Sequence, residues 1–79
     1  MPLVIGFVFI KTRAKMEVKA YRQLITLEDI KELTPLFGDY DLIAKVEAQD
    51  FKMLSGVVVE RIRKVPGVVE TITLAGVDI

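Results

Sequence analysis

Residues 3–10 read Leu-Val-Ile-Gly-Phe-Val-Phe-Ile, and this run is the strongest indication of the fold in the sequence. The run is too short for a typical helix, is rich in β-branched and aromatic side chains, and is apolar at both odd and even positions. Successive side chains of a strand point to opposite faces, so a strand of this composition needs apolar cover on both faces. The run therefore predicts a central strand of a sheet.

Downstream of this strand, the apolar pattern predicts two helices. Thr12 can cap the first helix and Asp50 the second, and Pro66-Gly67 ends the second. Each helix has an apolar face at helical spacing. These faces contain Ala14, Val18, Tyr21 and Ile25 in the first helix, and Leu54, Val57, Val58 and Ile62 in the second.

Three further strands are predicted. Residues 29–37 contain Pro35, and proline within a strand is typical of an edge position. Gly38-Asp39 separates this segment from residues 40–48 and suits a two-residue hairpin turn. Residues 68–75 alternate between two faces and form the last strand.

The resulting order is strand, helix, strand, strand, helix, strand, within a single domain that spans residues 1–79. Two strand–helix–strand halves with right-handed crossovers interleave their strands. The predicted fold class is α+β and ferredoxin-like (βαββαβ), a four-stranded antiparallel sheet with two helices on one face. The first and third strands are central in this arrangement, and Pro35 lies on an edge strand.

One face of this sheet has no cover, because two helices can cover only the other. If Val4, Val8 and Ile10 face the helices, the uncovered face contains Leu3, Ile5, Phe7 and Phe9; the reverse assignment uncovers the even-numbered set. Either patch is larger than soluble monomers usually expose, and a domain of this length buries little of its surface. We therefore expect a homodimer whose sheet faces pair, which is a dimeric α/β barrel.

The composition excludes several classes of function. The chain has no histidine and no cysteine, which removes the commonest general base, thiolate chemistry and the commonest transition-metal ligands. We expect no catalytic residues, no metal and no cofactor. Eleven basic residues balance eleven acidic ones, so no positive field favours nucleic acid. Without an apolar run of ~18 residues or a signal peptide, the prediction is a cytoplasmic protein that does not contact membranes.

Three motifs carry a resemblance to a known family: Gly38-Asp39-Tyr40-Asp41 followed by Leu42-Ile43, then Val65-Pro66-Gly67-Val68, then Thr71-Ile72-Thr73-Leu74. In this order and spacing, residues 33–74 resemble the effector-binding (RAM) module of the Lrp/AsnC transcriptional regulators. The helix-turn-helix domain of those regulators has no counterpart here, so the resemblance implies a stand-alone module that does not itself bind DNA. It implies a face-to-face dimer that assembles into rings such as octamers, with amino-acid effectors where dimers meet.

An amino-acid effector needs donors for its carboxylate and acceptors for its ammonium. In the segment Gly38, Asp39, Tyr40 and Asp41, turn amides supply donors and the two aspartates supply carboxylates. Thr71 and Thr73, on one face of a strand, can add hydroxyls. Plain turn chemistry and β-propensity also account for these residues, so both explanations stay open.

Three alternative functions are also consistent with the sequence. The chain can be an interaction subunit that joins full-length Lrp/AsnC regulators. It can be a small dimeric enzyme with Asp39 and Asp41 as an acid–base pair, although Ser55 has no visible base. The third alternative is RNA binding through Phe7 and Phe9, although the chain lacks the basic, glycine-rich signature of RNA-recognition modules.

Overall fold

The computed structural model describes residues 3–76 and confirms the predicted order of elements. The strands are β1 (Val4–Thr12), β2 (Ile30–Pro35), β3 (Leu42–Ala48) and β4 (Val68–Ala75), and the helices are α1 (Glu17–Leu24) and α2 (Phe51–Val57), the latter continuing into a π-helical turn (Val58–Ile62). The strands form one antiparallel sheet in the order β2-β3-β1-β4. β1 and β3 are therefore central, and β2 with Pro35 is an edge strand, as the sequence predicts.

The core lies between the sheet and the helices. α1 packs over β2, and α2 packs over β3 and β1. The register pairs Val8 with Ala44, and both side chains are completely buried under the helices. Each fully buried aliphatic side chain of this core, such as Ile10, stabilises the fold by about 1.5–3 kcal/mol.

The other face of the sheet carries the odd-numbered residues of β1. The register places Phe7 opposite Leu74, and Phe9 between Ile43 and Ile72. We call this surface the open face; its apolar members are Ile5, Phe7, Phe9, Ile43, Ile72 and Leu74. The even-numbered residues of β1 face the helices, so the structure selects the first of the two assignments left open by the sequence.

The prediction for the first helix was wrong in start and in phase. α1 begins at Glu17 without a side-chain cap, because Thr12 continues β1 and its hydroxyl donates to Asp41. The buried face contains Ala20 and Leu24, whereas the predicted face is exposed at Val18 (63%). Two apolar sets with helical spacing overlap in this short helix, and spacing alone does not say which one meets the sheet. The exposed remainder of the predicted face consists of Ala14 and Ile25, with Tyr21 half-buried between the two sets.

The second helix agrees with its prediction at its start and on its buried face. The Asp50 carboxylate accepts a hydrogen bond from the Met53 N–H at 2.7 Å, and the predicted apolar residues are all buried. The helix ends in the π turn, closed by the Arg63 N–H donating to the Val58 carbonyl at 2.9 Å. Gly67 follows at φ +97°, where a Cβ would lie 2.9 Å from the Met16 Cβ.

The predicted two-residue turn at Gly38-Asp39 was also wrong. β2 ends at Pro35 and β3 begins at Leu42, so residues 36–41 connect them. We call these six residues the 36–41 segment. Asp41 bonds to both neighbours of β3: its N–H donates to the Ile10 carbonyl of β1 at 2.9 Å, and its carbonyl accepts from the Leu36 N–H, directly after β2, at 2.8 Å. The connection is longer than a two-residue turn because residues 37–40 lie between the hydrogen-bonded pair Leu36 and Asp41.

Candidate ligand-binding site

The 36–41 segment is anchored to the end of β1 through Asp41. Its Oδ2 accepts hydrogen bonds from the backbone N–H of Thr12 at 2.7 Å and from the Thr12 hydroxyl at 3.0 Å. Thr12 is buried on the helix side of the sheet, so the Asp41 carboxylate lies on that side too. Leu36 closes the other end, with its N–H donating to the Asp41 carbonyl at 2.8 Å.

Tyr40, the preceding residue, lies on the opposite face of the sheet. Its ring centroid is 5.9 Å from that of Phe9, and the Lys11 Nζ lies 5.7 Å from the ring centroid. The Tyr40 hydroxyl donates to Glu70 Oε2 at 2.9 Å. This bond stabilises the neutral phenol and, with desolvation and the negative charges of Glu70 and Asp39, raises the pKa of Tyr40. Tyr40 therefore keeps its proton at neutral pH.

Between Leu36 and Asp41, the segment has backbone groups without hydrogen-bond partners. The N–H groups of residues 37–40 make no hydrogen bond to any residue within 3–76. Gly38 has φ +145°, a conformation that L side chains rarely adopt, and Asp39 is exposed. Four backbone donors and one carboxylate are thus available within a few residues, which is the set that a zwitterion needs.

An apolar groove adjoins the segment on the helix side. It has a volume of about 340 Å³. It is lined by Glu17, Val18, Tyr21, Pro35, Leu36, Asp41 and Leu42. We call it the α1 groove; its size lies at the lower end of the range for small-molecule sites. Because Leu36 and Asp41 belong to both, the groove and the segment form one continuous surface.

The structure does not bring Thr71 and Thr73 to the 36–41 segment as a single cluster. The register pairs Thr71 with Ile10 and Thr73 with Val8, so both hydroxyls lie on the helix side of β4. They line a different groove, with α2 and the π turn. Gly38 to Asp41 therefore form the candidate site described above, and the threonines belong to a separate surface.

Sequence reasoning missed the residues that anchor the segment. Thr12 is 29 positions from its partner Asp41, and Glu70 is 30 positions from its partner Tyr40. No local motif signals either pair. Only the register of β1 with β3 and β4 brings them together.

The predicted interface residues Ile5, Phe7 and Phe9 lie on the open face, and Leu3, just before β1, is 51% exposed. Charged side chains flank this apolar surface toward β2, where Lys45 Nζ lies 3.4 Å from Glu32 Oε2. An apolar centre with a charged margin is the usual composition of a protein–protein interface.

Residues 3–76 contain neither a cluster of metal-ligating side chains nor a membrane-spanning helix. No three side chains among His, Cys, Asp and Glu cluster as ligands for a metal ion in this part of the chain. Neither of its helices has the length and apolar character needed to cross a bilayer.

A four-stranded antiparallel sheet with two helices on one face and an apolar open face defines the class of small ferredoxin-like α+β domains. A family model, that of the Lrp/AsnC ligand binding domain, matches residues 5–75. The chain belongs to the Lrp/AsnC ligand-binding domain family.

Solved structures share this fold along nearly the whole chain. FFRP-DM1 is 34% identical with a TM-score of 0.88, and the match covers 94% of this chain and 99% of that one. Escherichia coli AsnC is 25% identical with a TM-score of 0.88, covering 95% of this chain and 51% of AsnC. The transcriptional regulator NMB0573 of Neisseria meningitidis, solved as a complex with L-Met, is 16% identical with a TM-score of 0.84, covering 95% and 50%.

A curated relative is an enzyme of much greater length. Homocitrate synthase of Sulfolobus acidocaldarius is 40% identical over 52 residues, which are 66% of this chain and 11% of the enzyme. Because the chain spans about a tenth of that relative, the match carries no argument for catalysis.

Proposed function

We propose that this chain is a cytoplasmic effector-binding module in the transcriptional regulation of amino-acid metabolism. It binds an amino acid or a similar small polar metabolite at the 36–41 segment and does not itself bind DNA. The observation that carries the proposal is the juxtaposition, in an Lrp/AsnC ligand-binding domain, of four unpartnered backbone N–H groups with the exposed Asp39 carboxylate.

Each group of the effector has a partner in this proposal. The effector carboxylate accepts hydrogen bonds from the N–H groups of residues 37–40, and its ammonium pairs with Asp39. Asp41 holds the segment in place, because its Oδ2 is engaged by Thr12. The α1 groove receives the side chain of the effector, and Tyr40 closes the site on the open face.

The relatives support this assignment of class. Escherichia coli AsnC contains the same module within a chain about twice as long. The NMB0573 regulator was solved with L-Met, which is an amino acid bound by a protein of this fold. The net charge of zero is the reason for proposing effector binding without DNA contact.

We propose that the active form is a homodimer in which two open faces pair, and that dimers assemble into rings such as octamers. Exposure of Phe7 (38%), Ile72 (43%) and Leu74 (55%) leaves an apolar patch that association would bury. A domain of 79 residues has a small core, so association would add stability that the core alone does not supply.

Thermal unfolding with each of the twenty amino acids at millimolar concentration tests the proposal. A ligand that binds only the folded state adds about 2.7 kcal/mol at one hundred times its Kd, and raises Tm accordingly. We expect a selective increase that Asp39→Ala abolishes and that Glu28→Ala, which removes an exposed carboxylate elsewhere, retains. An equal increase in Asp39→Ala would contradict the proposed site.

The alternatives make different predictions. An interaction subunit would co-purify with a full-length Lrp/AsnC regulator and would show no increase in Tm with any amino acid. An enzyme using Asp39 and Asp41 as an acid–base pair requires a free Asp41 carboxylate, whereas two hydrogen bonds from Thr12 occupy its Oδ2.

A further inference from the structure

The two helices leave the inner face of β4 uncovered. α1 lies over β2, and α2 lies over β3 and β1. On the helix side of the sheet, Val8 and Ala44 are completely buried, whereas Thr73 and Ala75 of β4 are exposed. The gap between α2 and β4 is a groove of about 340 Å³, which we call the β4 groove.

The lining of the β4 groove combines apolar walls with hydrogen-bond donors. The apolar members are Phe51, Leu54, Val58 and Val59, and the polar members are Ser55, Thr71, Thr73 and Arg63. None of the four polar side chains makes a hydrogen bond or an ion pair with another residue of the 3–76 range. No carboxylate lines this groove.

This chemistry differs from that of the 36–41 segment. There, backbone donors lie beside Asp39, a combination that suits a molecule with both a carboxylate and an ammonium. In the β4 groove, one cation and three hydroxyls meet no acidic side chain, so an ammonium entering it would have no charged partner. Charge complementarity therefore favours an anion, and the apolar walls favour an aliphatic tail.

We propose that the β4 groove is a second binding site, for an aliphatic monocarboxylate without an amino group, such as a branched 2-oxo acid. Arg63 binds the carboxylate, the hydroxyls of Thr71 and Thr73 donate to its oxygens, and the tail packs on Val59 and Phe51. The π turn fixes where Arg63 leaves the helix, since the Arg63 N–H donates to the Val58 carbonyl. Such turns are frequent at functional sites.

The test uses two probes with the same carbon skeleton, 4-methyl-2-oxopentanoate and leucine. Each is titrated into the full chain while methyl ¹H–¹³C spectra report Thr71, Thr73 and Val59 in the groove. We expect saturable shifts of these methyl groups with the oxo acid, and at least about tenfold weaker binding of leucine there, because its ammonium loses hydration without a partner. The amide of the oxo acid, 4-methyl-2-oxopentanamide, removes only the charge and should bind about as weakly as leucine.

Two charge variants make the result specific to the groove. Arg63→Gln should weaken oxo-acid binding by about tenfold, the usual scale for one charge-assisted hydrogen bond at an exposed site. Lys64→Gln removes the neighbouring cation, which does not line the groove, and should leave the affinity unchanged. The proposal is overturned by an absence of methyl shifts, by shifts located elsewhere in the chain, or by equal losses in the two variants. Because the probes are followed at the groove itself, the outcome is independent of effector binding at the 36–41 segment.

Discussion

Asp41→Ala separates the structural role of Asp41 from the binding role proposed for Asp39. In the folded chain, Asp41 Oδ2 accepts from the Thr12 N–H at 2.7 Å and from its hydroxyl at 3.0 Å. Hydrogen bonds to a charged group contribute about 1.5–3 kcal/mol each. Asp41 is half-buried, so water can replace part of this loss once the side chain is gone. The expected total is therefore about 2 kcal/mol.

For a domain of this length, a loss of this size lowers Tm by about 8–16 °C. Asp39→Ala removes an exposed carboxylate, and we expect a change within about 0.5 kcal/mol. Asp41→Asn keeps an acceptor oxygen toward Thr12, so its loss in the free energy of unfolding should lie between those of Asp41→Ala and Asp39→Ala. For effector affinity we expect the reverse order, with the larger loss in Asp39→Ala, because Asp39 is the residue proposed to pair with the ammonium.

Urea unfolding followed by circular dichroism measures these differences, at one fixed protein concentration so that the proposed association affects every variant equally. We expect a lower midpoint with an unchanged slope in Asp41→Ala. Equal midpoints for Asp41→Ala and Asp39→Ala would show that the hydrogen bonds to Thr12 do not anchor the segment.

Three further predictions concern the interface, the backbone and the titration of one tyrosine. Phe7→Asp places a charge in the open face that we propose pairs in a dimer, so light scattering at micromolar concentration should show a smaller species than for the wild type. An oligomer of unchanged size would contradict face pairing. Gly67 has φ +97°, and a Cβ added there would lie 2.9 Å from the Met16 Cβ, so Gly67→Ala should lower the free energy of unfolding in urea by about 1–3 kcal/mol. A Cβ added at Gly56 meets nothing within 4 Å, so Gly56→Ala should raise the free energy of unfolding by about 0.5–1 kcal/mol. The opposite order would contradict the packing at Gly67. Tyrosinate absorbance of wild type minus Tyr40→Phe should give a midpoint above the ordinary 10.0, because the folded state holds the phenolic proton more tightly. The stability that the protonated Tyr40 hydroxyl contributes is complete below the unfolded-state pKa of the tyrosine and is lost as pH rises through its folded-state pKa. A titration midpoint at or below 10.0 would exclude the hydrogen bond to Glu70.

The fold could be predicted from the sequence because local and global signals agree. The doubly apolar β1, the edge proline Pro35 and the cap Asp50 each specify one element, and together they specify one topology. The phase of α1 could not be predicted, because Val18 and Leu24 lie on two overlapping apolar faces with helical spacing. Which face is buried depends on how the helix lies on the sheet, and that information is not local.

The candidate site was predicted only in part, for the same physical reason. Gly38 and Asp39 carry a local turn signal, so the segment could be found from the sequence. Its anchors depend on partners about thirty positions away, Thr12 for Asp41 and Glu70 for Tyr40. The separation of Thr71 and Thr73 from the segment follows from the register of β4, since strand alternation leaves open which face each residue occupies.

Effector binding at the 36–41 segment is best tested by a crystal structure of the chain grown with the amino acid that gives the largest increase in Tm. We expect an ordered amino acid at the 36–41 segment, with its carboxylate within hydrogen-bonding distance of the N–H groups of residues 37–40 and its ammonium at Asp39. An amino acid bound elsewhere, or a segment left empty in crystals saturated with the ligand, would contradict it.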